Sequence, residues 1–490
     1  MATYDYDLGI IGGGAAGLTV AAGASQLGAK TLLVEREPRL GGDCLHYGCV
    51  PSKTLIKSAK VHHLMRHAEQ YGLPRVEIPP VDFRQVRARI RAVIDTIQHH
   101  DSEERFCGLG AKVTFGAATF SDDHSVRIDG GPAVTARSWV IATGSSAARP
   151  PIPGLDRTPV LTNRDLFEMD RLPASMIILG AGPIGAEMSQ AFARLGTRVT
   201  VVDQGHHILP REDRDLSDTL RRVLASEGVE FQLGCTIEEV RELGHAREVR
   251  VRTADRRELR LTAEAILVAL GRSANTAGMG LEALGIEHDR RGIKVDGRMR
   301  TSIKHLYAAG DVAGGPQFTH AAGYMGGIVV SNAVFHLPRK ADFTWLPWCT
   351  YTDPPLASIG MNETAAKAAG IGYTLWTEEF QSNDRSLAEG EGTGRIKMLL
   401  NSSERPIGVQ ILGPNAGDLI AEWVAVLNGK VKLATLAAAV HPYPTVAEIN
   451  KRVAGNVFSE KIFSDKVRKG LKLIFQFKGR ACTLPEETTP

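Results

Sequence analysis

The sequence is poor in cysteine, with six thiols spread over 490 residues. So few cysteines in so long a chain do not form the disulfide framework of a small secreted protein. Apolar residues are also dispersed, because no run approaches the roughly 20 residues of a membrane-spanning helix. The net charge is only +3, which gives no electrostatic case for binding nucleic acid. The first residues contain no basic-then-apolar leader, so we expect a cytoplasmic protein.

Glycine is concentrated in a turn near the N-terminus. Residues 6–11 form a short apolar segment that predicts a β-strand, and Gly12, Gly14 and Gly17 follow it. A second predicted strand ends at Glu35. Glycines at this spacing let a backbone approach a pyrophosphate at a helix N-terminus, and a carboxylate about 20 residues later accepts hydrogen bonds from a ribose. The segment therefore predicts a dinucleotide site.

The same pattern recurs in the middle of the chain. An apolar segment predicts a strand at 176–179, and Gly180, Gly182 and Gly185 form the turn that follows. A helix is predicted at residues 186–195, and the next strand ends at Asp203. Two such patterns predict two dinucleotide sites, one in each of two domains, and the length allows about three domains.

The acid after the second turn bears on the choice of nucleotide. A carboxylate at Asp203 repels the 2′-phosphate of NADPH, so we expect NADH to be the reductant. NADPH is the alternative, because His206, His207 and the more distant Arg211 follow Asp203.

Two of the six cysteines, Cys44 and Cys49, are separated by only four residues. A regular helix would place their Cα atoms about 7.5 Å apart, beyond the roughly 7 Å limit for a disulfide. We therefore expect the chain to bend between them, helped by Gly48 and Pro51. A strained and partly exposed disulfide is easily reduced. The pair predicts a redox-active dithiol beside the first dinucleotide, which would then be a flavin.

Together these motifs resemble the pyridine nucleotide–disulphide oxidoreductase family, which includes dihydrolipoamide dehydrogenase, glutathione reductase and mercuric reductase. The similarity covers residues 5–455. Further residues match the family's cofactor-binding segments for FAD and the nicotinamide nucleotide, namely Gly42, Thr143, Gly144, Gly271, Asp311 and Thr319.

The resemblance implies an α/β fold with two Rossmann-like dinucleotide-binding domains and an α+β dimerisation domain. The FAD-binding domain would comprise residues 1–150 and 276–342, and the NAD(P)-binding domain residues 151–275. The dimerisation domain would be residues 343–460, and a basic tail would follow at 461–490. The protein would be a homodimer.

The resemblance also implies roles for individual side chains. Cys49 matches the inner sulfur of the redox pair, which contacts the flavin, and Cys44 matches the outer sulfur, which exchanges with substrate. Lys53 would hold positive charge beside the thiolate and the flavin, and Glu187 matches the partner of that lysine. Electrons would pass from the nicotinamide through FAD to the two cysteines.

One position departs from the family's pattern. In members that act on thiols, a histidine that precedes Pro-Thr acts as the general acid/base, and a glutamate follows five residues later. Glu448 matches the glutamate, but Tyr443 occupies the histidine position. A tyrosine titrates near pH 10 and is a poor proton shuttle at neutral pH. His441 lies two residues earlier, about 6–7 Å away in an extended segment.

This departure favours an enzyme similar to mercuric reductase, which would reduce a metal ion or another small electrophile. The runner-up is an enzyme similar to dihydrolipoamide dehydrogenase, in which His441 replaces the missing base. A third hypothesis, an FAD-binding redox sensor, would not need the whole electron relay. Mercuric reductases usually end in an adjacent cysteine pair, whereas Cys482 is alone in this tail. We expect no resident metal ion.

The tail after Glu448 is both basic and apolar. Between residues 461 and 480, lysines and arginines alternate with isoleucine, valine, leucine and phenylalanine. One interpretation is a terminal helix packed on the dimer, and the other is a helix on the surface of a membrane. We expect residues 485–490 to be disordered.

Overall fold

The computed structural model describes residues 3–479 and 481–482, so the predicted disorder at 485–490 lies outside the described residues. The chain divides into two compact units between Asp353 and Pro354. Both units contain helices and strands. The domain boundaries that we predicted within the first unit, near residues 150 and 275, stay predictions.

The first unit contains nineteen of the described strands and eight of the described helices. Its strands are β1 (Tyr6–Ile11), β2 (Thr31–Glu35), β3 (Ala111–Phe115), β4 (Ala118–Phe120), β5 (Ser125–Ile128), β6 (Ala133–Ile141), β7 (Ser145–Ala147), β8 (Ser175–Leu179), β9 (Arg198–Asp203), β10 (Val229–Leu233), β11 (Thr236–Leu243), β12 (Ala246–Arg252), β13 (Glu258–Ala263), β14 (Ala265–Val268), β15 (Arg272–Ala274), β16 (His288–Asp289), β17 (Gly292–Ile293), β18 (Leu306–Ala308) and β19 (Pro347–Thr350). Its helices are α1 (Ala15–Gln26), α2 (Gly42–His46), α3 (Cys49–Arg66), α4 (Phe83–Gln98), α5 (Glu103–Gly108), α6 (Pro183–Leu195), α7 (Arg214–Ser226) and α8 (Thr319–Ala333).

The first sheet carries the first glycine turn. Its strands lie in the order β3-β2-β1-β6-β5-β4, and β18 pairs in parallel with β6. Strands β1, β2, β3 and β6 are mutually parallel, so their carboxyl ends share one edge of the sheet, where Gly12 and Glu35 lie. Helices α1 and α8 cover one face with an apolar core that includes Val20 and Ile328. Trp139 anchors the core on the other face.

The second parallel sheet has the strand order β10-β9-β8-β14. Gly180 follows β8 and Asp203 ends β9, so the second predicted strand–turn–helix–strand unit is also present. Helix α6 begins at Pro183, three residues before the predicted start, because proline is well suited to the first turn of a helix. A short antiparallel ladder of β7 and β15 joins the two segments of chain that flank this sheet.

The second unit contains four strands and six helices among its described residues. They are β20 (Leu356–Gly360), α9 (Glu363–Ala368), β21 (Thr374–Glu379), α10 (Asp384–Ala388), β22 (Arg395–Leu400), β23 (Pro406–Leu412), α11 (Ala416–Asn428), α12 (Leu433–Ala438), α13 (Glu448–Ile462) and α14 (Asp465–Phe475). The strands form an antiparallel sheet in the order β20-β23-β22-β21. Trp423 on α11 is fully buried, and its indole donates a hydrogen bond to Asn450 on α13 (2.8 Å).

Across the described residues, none of the helices combines the length and the apolar character that crossing a bilayer requires.

Candidate active site

The helical path is interrupted between the two cysteines of the predicted redox pair. Cys44 lies on α2 and Cys49 is the first residue of α3. A β-carbon at Gly48 would lie 2.9 Å from the carbonyl oxygen of Asp43 and 3.3 Å from the Cα of Cys44. The predicted bend is confirmed, and a glycine is needed for this close approach. Pro51 lies in the first turn of α3, where proline is tolerated, rather than at the break.

Both sulfurs of the pair are thiols in this structure, and they share a hydrogen bond. The Sγ of Cys49 lies 3.5 Å from Oγ1 of Thr319, the first residue of α8. The pKa of Cys49 is lowered to about 6, chiefly by the hydrogen bond from Cys44 and also by Thr319 and the Lys53 ammonium, against the effect of burial. Donating that hydrogen bond, together with burial, raises the pKa of Cys44. The charge of the dithiol therefore rests on Cys49 at neutral pH.

A lysine and a glutamate from different helices pair next to Cys49. Lys53 on α3 donates a hydrogen bond to Oε2 of Glu187 on α6 (2.7 Å), and the glutamate side chain is only 6% exposed. Burial lowers the pKa of Lys53, but the Glu187 carboxylate outweighs burial and raises it overall. Lys53 is therefore an ammonium at neutral pH and supplies positive charge to the neighbouring thiolate.

Tyr351 contacts both members of this ion pair. Its backbone N–H donates a hydrogen bond to Oε1 of Glu187 (2.9 Å), the carboxylate oxygen that Lys53 does not use. The Nζ of Lys53 lies 4.8 Å from the centre of the Tyr351 ring, within the range of a cation–π contact. Both members of the ion pair are thereby held in place.

The first glycine turn leaves open space beside the sheet edge. Gly12 has a φ of +111°, and a β-carbon there would lie 2.4 Å from the carbonyl oxygen of Ala142. At Gly14, by contrast, a β-carbon would meet only the Cα of Gly42, at 3.8 Å. The protein therefore does not fill the space in front of Gly14, which a pyrophosphate needs.

The second turn repeats this arrangement with its own glycines. A β-carbon at Gly180 would lie 2.3 Å from the carbonyl oxygen of Ala269, whereas at Gly182 nothing lies within 4 Å. The third glycine of each turn, Gly17 or Gly185, permits contact between the helix and the turn. The two turns thus present the same open backbone to two separate ligands.

The acids at the ends of β2 and β9 accept the same pattern of hydrogen bonds from backbone N–H groups of the neighbouring turns. Glu35 accepts hydrogen bonds from the N–H of Gly13 (2.6 Å) and from the N–H two positions after itself (2.7 Å). Asp203 accepts from the N–H of Ala181 (2.6 Å) and from the N–H two positions after itself (2.6 Å). A carboxylate oxygen accepts more than one hydrogen bond, so these contacts leave capacity for a ribose hydroxyl.

A cleft of about 280 Å³ runs along the edge of the first sheet. It is lined by several of the predicted cofactor-binding residues: Gly12, Gly14, Glu35, Gly42, Thr143 and Gly144. The hydroxyl of Thr143 donates to the carbonyl of Asn275 (2.7 Å), whose side chain donates back to the Thr143 carbonyl (2.9 Å). These contacts join the end of β6 to the segment that follows β15, close to Gly271.

Asp311 belongs to a second charged group near the cysteines. It accepts a hydrogen bond from the hydroxyl of Ser145, and that hydroxyl accepts one from Nε of Arg272 (2.7 Å). Arg272 also pairs with Asp43, the residue before Cys44 (3.0 Å). Burial raises the pKa of Asp311, against the effects of Ser145 and Arg272. The group orders the chain on both sides of the cleft.

The remaining predicted site residues lie in the second unit, where Tyr443 is 69% exposed. Its hydroxyl donates a hydrogen bond to Asp384 (3.1 Å). That hydrogen bond raises the pKa of Tyr443, and the charges of Asp384 and Glu448 add to the effect. The phenol therefore keeps its proton at neutral pH. Glu448 is nearby, and its Oε2 is buried without a hydrogen-bond partner among the described residues.

His441 is held quite differently from Tyr443. Its side chain is only 10% exposed, and its Nε2 lies 3.0 Å from a carboxylate oxygen of Glu422. Its Nδ1 lies 3.4 Å from the carbonyl oxygen of Ala439. The other oxygen of Glu422 accepts a hydrogen bond from Asn450 (2.9 Å), which fixes the carboxylate.

Comparison with known proteins identifies the architecture. Residues 6–326 match the model of the pyridine nucleotide-disulphide oxidoreductase family, and residues 346–454 match that of its dimerisation domain. The chain belongs to this family. It is therefore an FAD-dependent oxidoreductase that uses a pyridine nucleotide and a redox disulfide, and the predicted fold class is confirmed.

Similar proteins carry several names. A mercuric reductase from Staphylococcus aureus is 32% identical over 91% of this chain and 81% of its own length. A dihydrolipoyl dehydrogenase from Haloferax volcanii is 35% identical over 93% of this chain and 97% of its own. Among solved structures, the HOCl-induced flavoprotein disulfide reductase RclA from Escherichia coli, in a Cu(II) complex, matches with a TM-score of 0.83 and 27% identity, over 93% of this chain and all of that one.

The residues of the first turn fit the FAD that the family uses. Open space in front of Gly14, a cleft beside it and the half-buried carboxylate of Asp311 suit a pyrophosphate and a polyhydroxyl chain. Cys49, Lys53 and Thr319 lie together. Their individual roles stay predictions.

Sequence reasoning missed several residues that this region depends on. Neither Tyr351 nor Asp43 belongs to the cofactor-binding or redox residues that the motifs predict. Asn275 follows the Gly271-Arg272 turn, which was a usable signal. Asp384 has no local signal, because its contact with Tyr443 joins positions 59 residues apart.

One cluster could be mistaken for a resident metal site. Ligand atoms of Asp123, His124 and His305 lie within 4.8 Å of one another. Their atoms also have hydrogen-bond partners: His124 contacts Tyr4 and the carbonyl of Ala136, and His305 contacts the carbonyl of Asp123. The absence of a resident metal stays a prediction.

The two thiols should be separable by spectroscopy of the purified flavoprotein. A thiolate that lies against an oxidised flavin gives a long-wavelength absorbance band. Because Cys49 is the thiol with the low pKa, Cys44→Ser should show this band without prior reduction, and the band should grow as the pH rises and Cys49 ionises. Cys49→Ser should lack the band after two-electron reduction. A band that survives in Cys49→Ser would reverse the assignment of the two sulfurs.

Proposed function

We propose that the protein is an NADH-dependent reductase that delivers electrons through the Cys44–Cys49 pair to a metal ion or another small electrophile. This proposal rests on the protonation state of the Tyr443 side chain. The exposed side chain at the position of the family's general base is a phenol that Asp384 and Glu448 keep protonated. Such a group can donate a hydrogen bond, but it cannot take a proton from a thiol at neutral pH.

The side chains around the dithiol have different chemical roles. FAD, when bound, carries the electron pair from the nicotinamide to the disulfide. Two electrons and one proton convert the disulfide into a Cys49 thiolate and a Cys44 thiol. Lys53 stabilises the thiolate with a fixed positive charge, and Glu187 holds Lys53 in position. Cys44 is then the sulfur that meets the acceptor.

A metal-ion acceptor suits a site without a neutral-pH base. Oxidation of a dithiol substrate requires that a proton leave the attacking thiol, which a base near neutrality accelerates. A soft metal ion binds thiolate sulfur directly and displaces the Cys44 proton on binding. The pair of cysteines then supplies both the ligands and the two electrons, and no histidine is needed.

The second candidate is oxidation of a dithiol such as dihydrolipoamide, with His441 as the base. The contact between His441 and Glu422 supports it, because a carboxylate that orients an imidazole is a common arrangement for a general base. Two observations weigh against it. The His441 side chain is nearly buried, and both of its ring nitrogens already have partners within the second unit.

The choice of NADH rests on the end of β9. Asp203 is fixed by two backbone N–H groups beside the second glycine turn, where the adenosine ribose of a nucleotide would lie. Arg211, the nearest arginine after it, stacks on the ring of Trp348 at 5.2 Å. A negative charge thus dominates the position that a 2′-phosphate would occupy.

The assembly that we propose is a homodimer, because the chain carries the family's dimerisation domain. Two-fold symmetry is the commonest arrangement for such oligomers. The cytoplasmic location that we expect from the sequence stays a prediction.

Replacement of Asp203 by alanine should narrow the preference for NADH. The ratio of kcat/KM for NADH to that for NADPH should fall by about tenfold, since the variant no longer repels the 2′-phosphate. Steady-state kinetics with both nucleotides measures this ratio. Asp156→Ala, which removes an exposed carboxylate from the first unit, is the matched control and should leave the ratio unchanged. A wild-type preference for NADPH would contradict the proposal.

A panel of acceptors with NADH oxidation as the readout should separate the two candidate functions. We expect turnover with Hg²⁺, a soft metal ion that accepts two electrons. Dihydrolipoamide oxidation should be weak, on the order of a hundredfold below that of an enzyme with a competent base. Tyr443→His should raise the dihydrolipoamide activity, because it restores an imidazole at the exposed position.

His441→Ala is the paired variant for this experiment. Under the proposal it should change neither the metal-ion activity nor the weak dihydrolipoamide activity by more than a few fold. Brisk dihydrolipoamide turnover in the wild type that His441→Ala abolishes would establish the runner-up instead.

A further inference from the structure

The last described helix, α14, has no buried residue. It spans Asp465–Phe475, about 16 Å at 1.5 Å per residue. Most of its apolar side chains nonetheless fall on one side: at about 100° per residue, positions 467, 471, 474 and 475 lie within an arc of about 100°, whereas Leu473, 84% exposed, lies on the other side. Such a stripe normally faces a protein core, and here it faces outward.

The apolar side chains of this helix are large and accessible. Ile474 is 70% exposed and Phe475 is 61% exposed, whereas Val467 and Leu471 are each 37% exposed. Phe477 follows the helix at 55% exposure and stacks on Phe475 at 5.8 Å between ring centres. The stripe therefore continues past the end of the helix as a pair of aromatic rings.

Positive charge surrounds this stripe. Lys466 and Lys472 border it on opposite sides, and Lys469 lies on the opposite face of the helix. Together with Lys478, these lysines form no ion pair with any described residue. The single acid of the helix, Asp465, pairs with Arg468 at 3.5 Å. The surface of α14 is thus strongly cationic.

We propose that α14 binds the surface of an anionic lipid membrane. Apolar side chains on one face would enter the boundary between headgroups and acyl chains, and lysines at its borders would reach the phosphates with their flexible stems. The charge favours this occupant over a protein, because protein–protein interfaces are depleted in lysine. The helix would place the reductase at a membrane without crossing it.

The test uses the full-length flavoprotein and sedimentation with vesicles. Vesicles that contain phosphatidylglycerol should bind the protein at least tenfold more strongly than vesicles of phosphatidylcholine alone. Binding should weaken as salt rises from about 0.05 M to about 0.5 M, because salt screens the lysines. No binding to the anionic vesicles at low salt would overturn the proposal.

Three triple variants separate the contributions. The charge variant Lys466→Glu/Lys469→Glu/Lys472→Glu and the apolar variant Leu471→Ser/Ile474→Ser/Phe475→Ser should each bind anionic vesicles at least tenfold less than the wild type. Lys112→Glu/Lys304→Glu/Lys432→Glu reverses the same charge at exposed lysines elsewhere and should change binding by less than about threefold. Equal losses in the two lysine variants would mean that net charge alone attracts the protein, which overturns a role for α14.

A second measurement distinguishes the membrane from another copy of the chain. Light scattering should give the same mass for the wild type and the apolar variant, and reduction of the flavin by NADH should be unchanged in both. A mass that halves in the apolar variant would show that the stripe is covered by a second copy, and the membrane proposal would fail.

Discussion

The active-site region depends on one ion pair, between Lys53 and Glu187. Lys53 belongs to the helix that begins at Cys49, and Glu187 belongs to the helix that follows the second glycine turn. This ion pair therefore links the segment that contains the two cysteines to the second of the two dinucleotide-binding motifs. The glutamate is almost fully buried and the backbone of Tyr351 binds its other oxygen, so neither partner is free to move away. Loss of Lys53 would leave the buried Glu187 carboxylate as an uncompensated charge.

The features that could be predicted are those that depend on residues close together in the sequence. The two strand–glycine–helix–strand units and the bend between Cys44 and Cys49 follow from short-range rules on strand length, backbone approach and disulfide reach. The contributions of Tyr351 and Asp384 could not be predicted, because their contacts join positions 164 and 59 residues apart. Pro51 shows the limit of local reasoning, since a helix tolerates proline in its first turn and the break lies elsewhere.

The chain illustrates how one scaffold serves different acceptors. The family's relay needs the dithiol, its lysine and two dinucleotide cradles, and the structure brings these elements together. The fold alone does not fix the acceptor. At the sequence position where thiol-specific members of the family have their acid/base histidine, this chain has Tyr443, and Asp384 holds its phenol in the protonated form. The acceptor that we propose follows from this one difference in the sequence.

Cys49 carries the charge of the dithiol because the hydrogen bond from Cys44 lowers its pKa most, and Thr319 and the charge of Lys53 lower it as well. The pH dependence of Cys49 alkylation in the reduced protein tests this assignment of charge most directly, because only the thiolate reacts quickly. The midpoint should lie near pH 6 in the wild type. Lys53→Met should raise the midpoint, and Glu187→Gln should lower it, since the two charges act on the pKa of Cys49 in opposite directions. Midpoints that stay in place in both variants would contradict the account.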